Sequence, residues 1–68
     1  MKVKEFLSLE KSGAMFVVID ADRTGYMSNP KVLTIADRNV VSDNYGDAEL
    51  IGFSPAATRR INLYISQK

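Results

Sequence analysis

Two carboxylates, Asp20 and Asp22, close the longest apolar run of the chain, Ala14-Met15-Phe16-Val17-Val18-Ile19, and lead directly into Arg23-Thr24-Gly25. A carboxylate fixed at the end of a strand can attack an electrophile or bind a hard cation through oxygen. The rest of the inventory narrows that chemistry. The sequence contains no histidine, which removes the commonest general base and the commonest metal ligand together. It contains no cysteine, so neither a thiolate zinc site nor a disulfide framework can form. Catalysis would have to run on carboxylates, lysine, tyrosine or serine.

The pattern Asp20-x-Asp22-x-Thr24 behind an apolar strand resembles the first motif of the haloacid-dehalogenase-like phosphotransferases. In that family the first Asp is the nucleophile, the second is the acid/base, and the pair helps to hold magnesium; the resemblance implies those roles for Asp20 and Asp22. It covers only about eight residues. Such enzymes also need a much longer doubly wound fold, a basic residue on the phosphate and a further acidic metal ligand, and a function has to be argued from a whole site. Read with Gly25, the same stretch resembles the opening of an EF-hand calcium loop. There the glycine stands sixth, as required, but the twelfth place falls on Lys31, where a bidentate glutamate is needed, and Pro30 stands before it. A metal-dependent phosphotransferase or a calcium site at Asp20/Asp22 is therefore a remote alternative. The preferred reading is a turn whose Asp side chains accept hydrogen bonds from loop amides. No catalytic, cofactor-binding or metal-ligating residue is assigned, and no enzyme is expected.

The elements that must position these residues follow from periodicity. Val3 to Lys11 places Val3, Phe6 and Leu7 at helical spacing, with Leu9 beside Phe6 and charged residues opposite, and Ser12-Gly13 ends it. A helix so short is marginal alone and must lie on a sheet. Ala14 to Ala21 reads as a strand buried on both faces. Asp22 to Gly25 reads as a turn and Tyr26-Met27-Ser28 as a returning strand. Lys31 to Val41 fits either a helix capped by Asn29 or an irregular edge strand; one or two helical turns ending near Ala36 are expected. Asp37-Arg38-Asn39 and Ser42 to Gly46 read as turns. Asp47 to Ser54 is predicted as a strand, with Glu49 to Phe53 apolar on both parities and so centrally placed, and Pro55 to Thr58 as a connection. Arg59 to Ser66 alternates Ile61, Leu63 and Ile65 with polar residues, the pattern of a strand with one buried face.

Together these predict a single α+β domain over residues 1–68, an N-terminal helix packed on a small, mostly antiparallel sheet of three to four strands. At 68 residues such a domain buries only about 60% of the surface its unfolded chain exposes. Nine basic and eight acidic residues give a net charge of +1, so no global field directs the protein to nucleic acid or an anionic membrane. No apolar stretch has the length of a signal peptide core or a membrane span, and a soluble cytoplasmic protein is expected.

Function is then sought on surfaces. Arg60, Asn62, Tyr64, Ser66 and Lys68 share one face of the last predicted strand, with Arg59 adjacent. Basic residues interleaved with an aromatic on a sheet face can bind a phosphate backbone and stack a base. Equally, arginine and tyrosine are ordinary on a solvated strand. Tyr45, in the polar stretch Ser42 to Asp47, is an amphipathic residue of the kind enriched at interfaces, unless it folds back onto the core. Arg59, Arg60, Asn62, Tyr64 and Tyr45 are the candidate interaction surface.

The layout as a whole resembles that of short uncharacterised proteins encoded by phages and mobile elements of Gram-positive bacteria. The likeness rests on Met1-Lys2-Val3-Lys4-Glu5-Phe6-Leu7, on Val17 to Asp22, and on Glu49 to Phe53 with Ile61 to Ile65. It implies an accessory protein that acts by binding another macromolecule and carries no catalytic residues to transfer. A short helix cannot cover the apolar residues of two strands, so a protein-interaction module that associates with itself is the first expectation. A nucleic-acid-binding module using the Arg60/Tyr64 face is the alternative. No cofactor and no membrane partner are expected.

Overall fold

Val17, Val18 and Ile19 leave no polar parity in the middle of the first apolar run, and that run becomes the strand β1 (Met15–Asp20), of which only the first residue is exposed. The computed structural model describes residues 1–10, 13–22 and 31–67. Ahead of β1 lies the helix α1 (Val3–Leu9), and after it come β2 (Val32–Ala36), the helix α2 (Arg38–Tyr45), β3 (Glu49–Ala57) and β4 (Arg60–Ser66). The four strands form one sheet in the order β2-β1-β4-β3. β1 runs antiparallel to β2 and parallel to β4, while β3 and β4 form an antiparallel hairpin. The expected α+β architecture is thus the one observed, with a second helix and a mixed sheet.

Register explains which side chains meet. Phe16 and Val18 stand beside Ile61 and Leu63, and this face carries the helices. The main core joins Val3 and Leu7 of α1, Phe16 and Val18 of β1, Ala36, Val41 of α2, and Leu63 and Ile65 of β4. Each fully buried Phe, Leu or Ile there contributes roughly 1.5–3 kcal/mol of transfer free energy. The opposite face alternates with it. Met15, Val17 and Ile19 lie beside Arg60, Asn62 and Tyr64, and Val17 and Ile19 are buried although no described helix covers them.

The helix α1 is anchored at its start. The Val3 and Lys4 amides, which have no partner inside the helix, donate to the carbonyls of Ala48 and Gly46 at 3.0 Å. The Lys2 amide donates to Glu5 Oε1 at 2.9 Å, so an acidic side chain also sits in the first turn, where the helix dipole favours it. Gly13, at φ 73°, is the left-handed residue through which the chain turns toward β1.

Several sequence expectations are corrected. Lys31 to Ala36 does not form helical turns: Val32, Thr34 and Ile35 are β-branched and pair with β1 as an edge strand. Asp37 to Gly46 is not turn-rich punctuation but the helix α2 with its caps. Its composition favours turns, yet Asp37 Oδ1 caps it by accepting from the Val40 amide at 3.1 Å, and Val41 is wholly buried in the core. Glu49 to Phe53 is not central, because β4 takes the interior place beside β1 and leaves β3 at the edge. Pro55 belongs to β3, where an edge strand tolerates its missing amide, and the hairpin turn shrinks to Thr58-Arg59, with Arg59 at φ 64°. The returning strand expected at Tyr26-Met27-Ser28, the cap expected at Asn29 and the last helical residue expected at Lys11 lie outside the described residues.

Candidate interaction surface

β4 places the polar stripe as its alternation requires. Arg60, Asn62, Tyr64 and Ser66 point away from the helices, and Ile61, Leu63 and Ile65 point toward them. The stripe is nevertheless not a solvated basic face. β4 is an interior strand, so Asn62, Tyr64 and Ser66 are half-buried between β1 and β3, with Asn62 beside Val17 and Tyr64 beside Ile19. Asn62 Nδ2 donates to Ser54 Oγ at 3.4 Å across the hairpin. The basic charge gathers at one end, where Arg60 is exposed and Arg59 sits in the turn, its carbonyl accepting from the Met15 amide at 2.8 Å. Lys68 lies outside the described residues.

Tyr45 belongs elsewhere. It is the last residue of α2, half-buried, and packs on the main core on the helix side of the sheet. The chain therefore does not bring it to the face that carries Arg60 and Tyr64. Beside it the end of α2 and Gln67 enclose a shallow polar cavity of about 280 Å³ whose walls include Asp43, Asn44 and Asp47.

The acids at the end of β1 are bound into the frame. Asp20 is buried, and its Oδ1 accepts from the Asp22 amide at 3.0 Å, the side-chain turn expected from the sequence. Asp22 Oδ1 accepts from Ser66 Oγ at 2.8 Å and Oδ2 from the Gln67 amide at 3.1 Å, so one carboxylate ties the exit of β1 to the exit of β4. Among the described residues no three side chains of the types Asp, Glu, His or Cys come together in a way that could hold a metal ion.

One polar cluster had no signal in the sequence, because its members lie more than 40 positions apart. Lys4 Nζ meets Asp47 Oδ1 at 2.9 Å, and Lys2 Nζ donates to the Asp47 carbonyl at 3.1 Å. The Lys4 hydrogen bond and charge, helped by the Lys2 charge, hold the Asp47 carboxyl below the ordinary carboxylate range. A carboxyl whose folded-state value is depressed stabilises the fold above the unfolded value, and that contribution disappears as pH falls through the folded value. Because Asp47 is fully exposed and salt-screened, the effect on stability is slight. Replacing Lys4 by Met is expected to raise the Asp47 titration midpoint toward the ordinary value, read from its side-chain carbonyl resonance against pH; an unmoved midpoint would show that the pair does not form in solution.

No protein-family model matches this chain, and neither the curated proteins nor the solved structures contain a match to it. No described helix is long and apolar enough to cross a membrane.

Proposed function

We propose that this chain is a small, non-enzymatic protein-interaction module of the cytoplasm that associates with itself. The observation that carries this reading is the apolar surface left at the sheet margins. Val32 and Ile35 on β2 are 46% and 49% exposed, and Ile51 and Phe53 on β3 are 61% and 60% exposed. Met15 and Leu9 are exposed as well. Val32 and Ile35 line one edge of the sheet and Ile51 and Phe53 the other, so each edge carries its own pair of exposed apolar side chains. The resemblance to phage and mobile-element proteins accords with an accessory role of this kind. Sedimentation equilibrium of the full chain is expected to show a reversible monomer–dimer equilibrium in the micromolar range; a strict monomer at high micromolar concentration ends the self-association reading.

A second reading, a nucleic-acid-binding module, is supported by the exposed Arg59 and Arg60 at the start of β4, the same face of which carries the half-buried Tyr64. Titration with single-stranded oligonucleotides at low salt would then give saturable binding that added salt weakens. Its absence removes that reading.

A further inference from the structure

The two edges of the sheet are not alike, and the difference selects one of them as the contact. β3 carries Pro55, which offers no amide, and two register shifts that bend it, both devices that discourage a strand from adding another. β2 reads Val-Leu-Thr-Ile-Ala, without charge or proline, and carries a single register shift against β1. Among the described residues no strand lies on its outer side. Exposed Lys31 precedes it and exposed Asp37 follows it, and among the described residues neither side chain makes an ion pair.

We propose that β2 pairs antiparallel with β2 of a second copy of this chain about a two-fold axis near Thr34, setting Lys31 of each copy against Asp37 of the other. This rests on the self-association reading above and names its surface. An isologous contact closes on itself, so the outer edge is consumed and the assembly stops at two copies. Antiparallel pairing brings the strand start of one copy to the strand end of its partner, so the charge pattern is self-complementary, whereas parallel pairing would set lysine on lysine and aspartate on aspartate. Val32 and Ile35, exposed on the face opposite the helices, flank the axis on each copy and lose contact with water as the junction forms.

The test uses sedimentation equilibrium of the full chain at low ionic strength, with circular dichroism to confirm folding. Lys31→Glu turns two attractive contacts per dimer into two repulsive ones and is expected to weaken dimerisation about tenfold. Asparagine caps a helix about as well as aspartate, so adding Asp37→Asn keeps the α2 cap while removing the repulsion. The double variant K31E/D37N is expected to return to within about threefold of the original dimerisation constant. Amide exchange of residues 32–36 should also slow as protein concentration rises. A dimer that K31E leaves unchanged, or whose loss D37N fails to repair, overturns the β2 contact while self-association stands. A wild-type chain that stays monomeric overturns both.

Discussion

Phe16→Ala is expected to abolish or nearly abolish cooperative folding at room temperature. Phe16 heads the fully buried side chains, at 1% exposure, and stands on an interior strand between β2 and β4. Truncating a buried phenylalanine costs about 3–5 kcal/mol, the lost transfer term plus the cavity left behind. A domain of this length has a total stability of only about 3–10 kcal/mol. Neither flank can relax into the gap, since β1 is held by hydrogen-bonded neighbours on both sides. Urea unfolding followed by circular dichroism checks this, with Phe53→Ala as the comparison. Phe53 is mostly exposed on the edge strand and touches Phe6 with ring centroids 4.8 Å apart, so its loss should cost only about 1 kcal/mol. Equal losses at the two positions would show that the core is not where the fold places it.

Gly46→Val is expected to be clearly destabilising, although the backbone there is ordinary right-handed helix at φ −59°. The restriction is one of space. A Cβ on residue 46 would collide with the Ser42 carbonyl oxygen and lie 3.3 Å from Lys4 Cβ. The first of these is backbone and cannot swing aside. The Gly46 amide donates to that same Ser42 oxygen at 3.0 Å, and the Gly46 carbonyl accepts from the Lys4 amide at 3.0 Å. Any shift that relieves the clash therefore loosens the end of α2 and the start of α1 together. Overpacking of this kind costs about 1–3 kcal/mol. Gly52→Ala is the comparison, because nothing lies within 4 Å of its added Cβ; it should be neutral or stabilising by up to about 1 kcal/mol through the unfolded chain. Thermal unfolding of the two variants side by side would settle the point, and a Gly46 variant as stable as the Gly52 variant would contradict the close approach.

What the sequence disclosed and what it concealed divide along a physical line. Strands whose apolar pattern is set by their own burial were legible: Val17 to Ile19 announced an interior strand, and Ile61, Leu63 and Ile65 announced a strand with one face on the core. The Asp20–Asp22 turn was legible because it is local chemistry. The stretch from Val32 to Tyr45 was misread because its outcome is decided by partners. Val32 to Ala36 has a strand beside it only after β1 is in place, and Arg38 to Tyr45 is a poor helix former held by one capping aspartate and one buried valine. The rank of β3 and β4 within the sheet was concealed for the same reason. Both are apolar enough for an interior position, and only the parallel pairing of β4 with β1 settles which is inside. For the candidate surface, the shared face of Arg60, Asn62 and Tyr64 was legible from alternation. Its half-burial was not, because that depends on the neighbours β4 acquires.

That parallel pairing also dictates an order of events in time. The β3–β4 hairpin closes through a two-residue turn and can form early, within its own stretch of chain. β1, in contrast, must wait for residues 60–65, which lie about 45 positions further along. Until they arrive, Phe16 and Val18 have only the two helices and β2 to meet, and the central seam stays open. Closing so long a loop before its contacts repay the entropy is the slow step of such topologies. While the chain is being made, its most apolar segment stays without its interior neighbour until nearly all of these 68 residues exist. Folding of β1 into the sheet thus waits until residues 60–65 have been made, which leaves β1 the segment most exposed to aggregation or to capture by a chaperone.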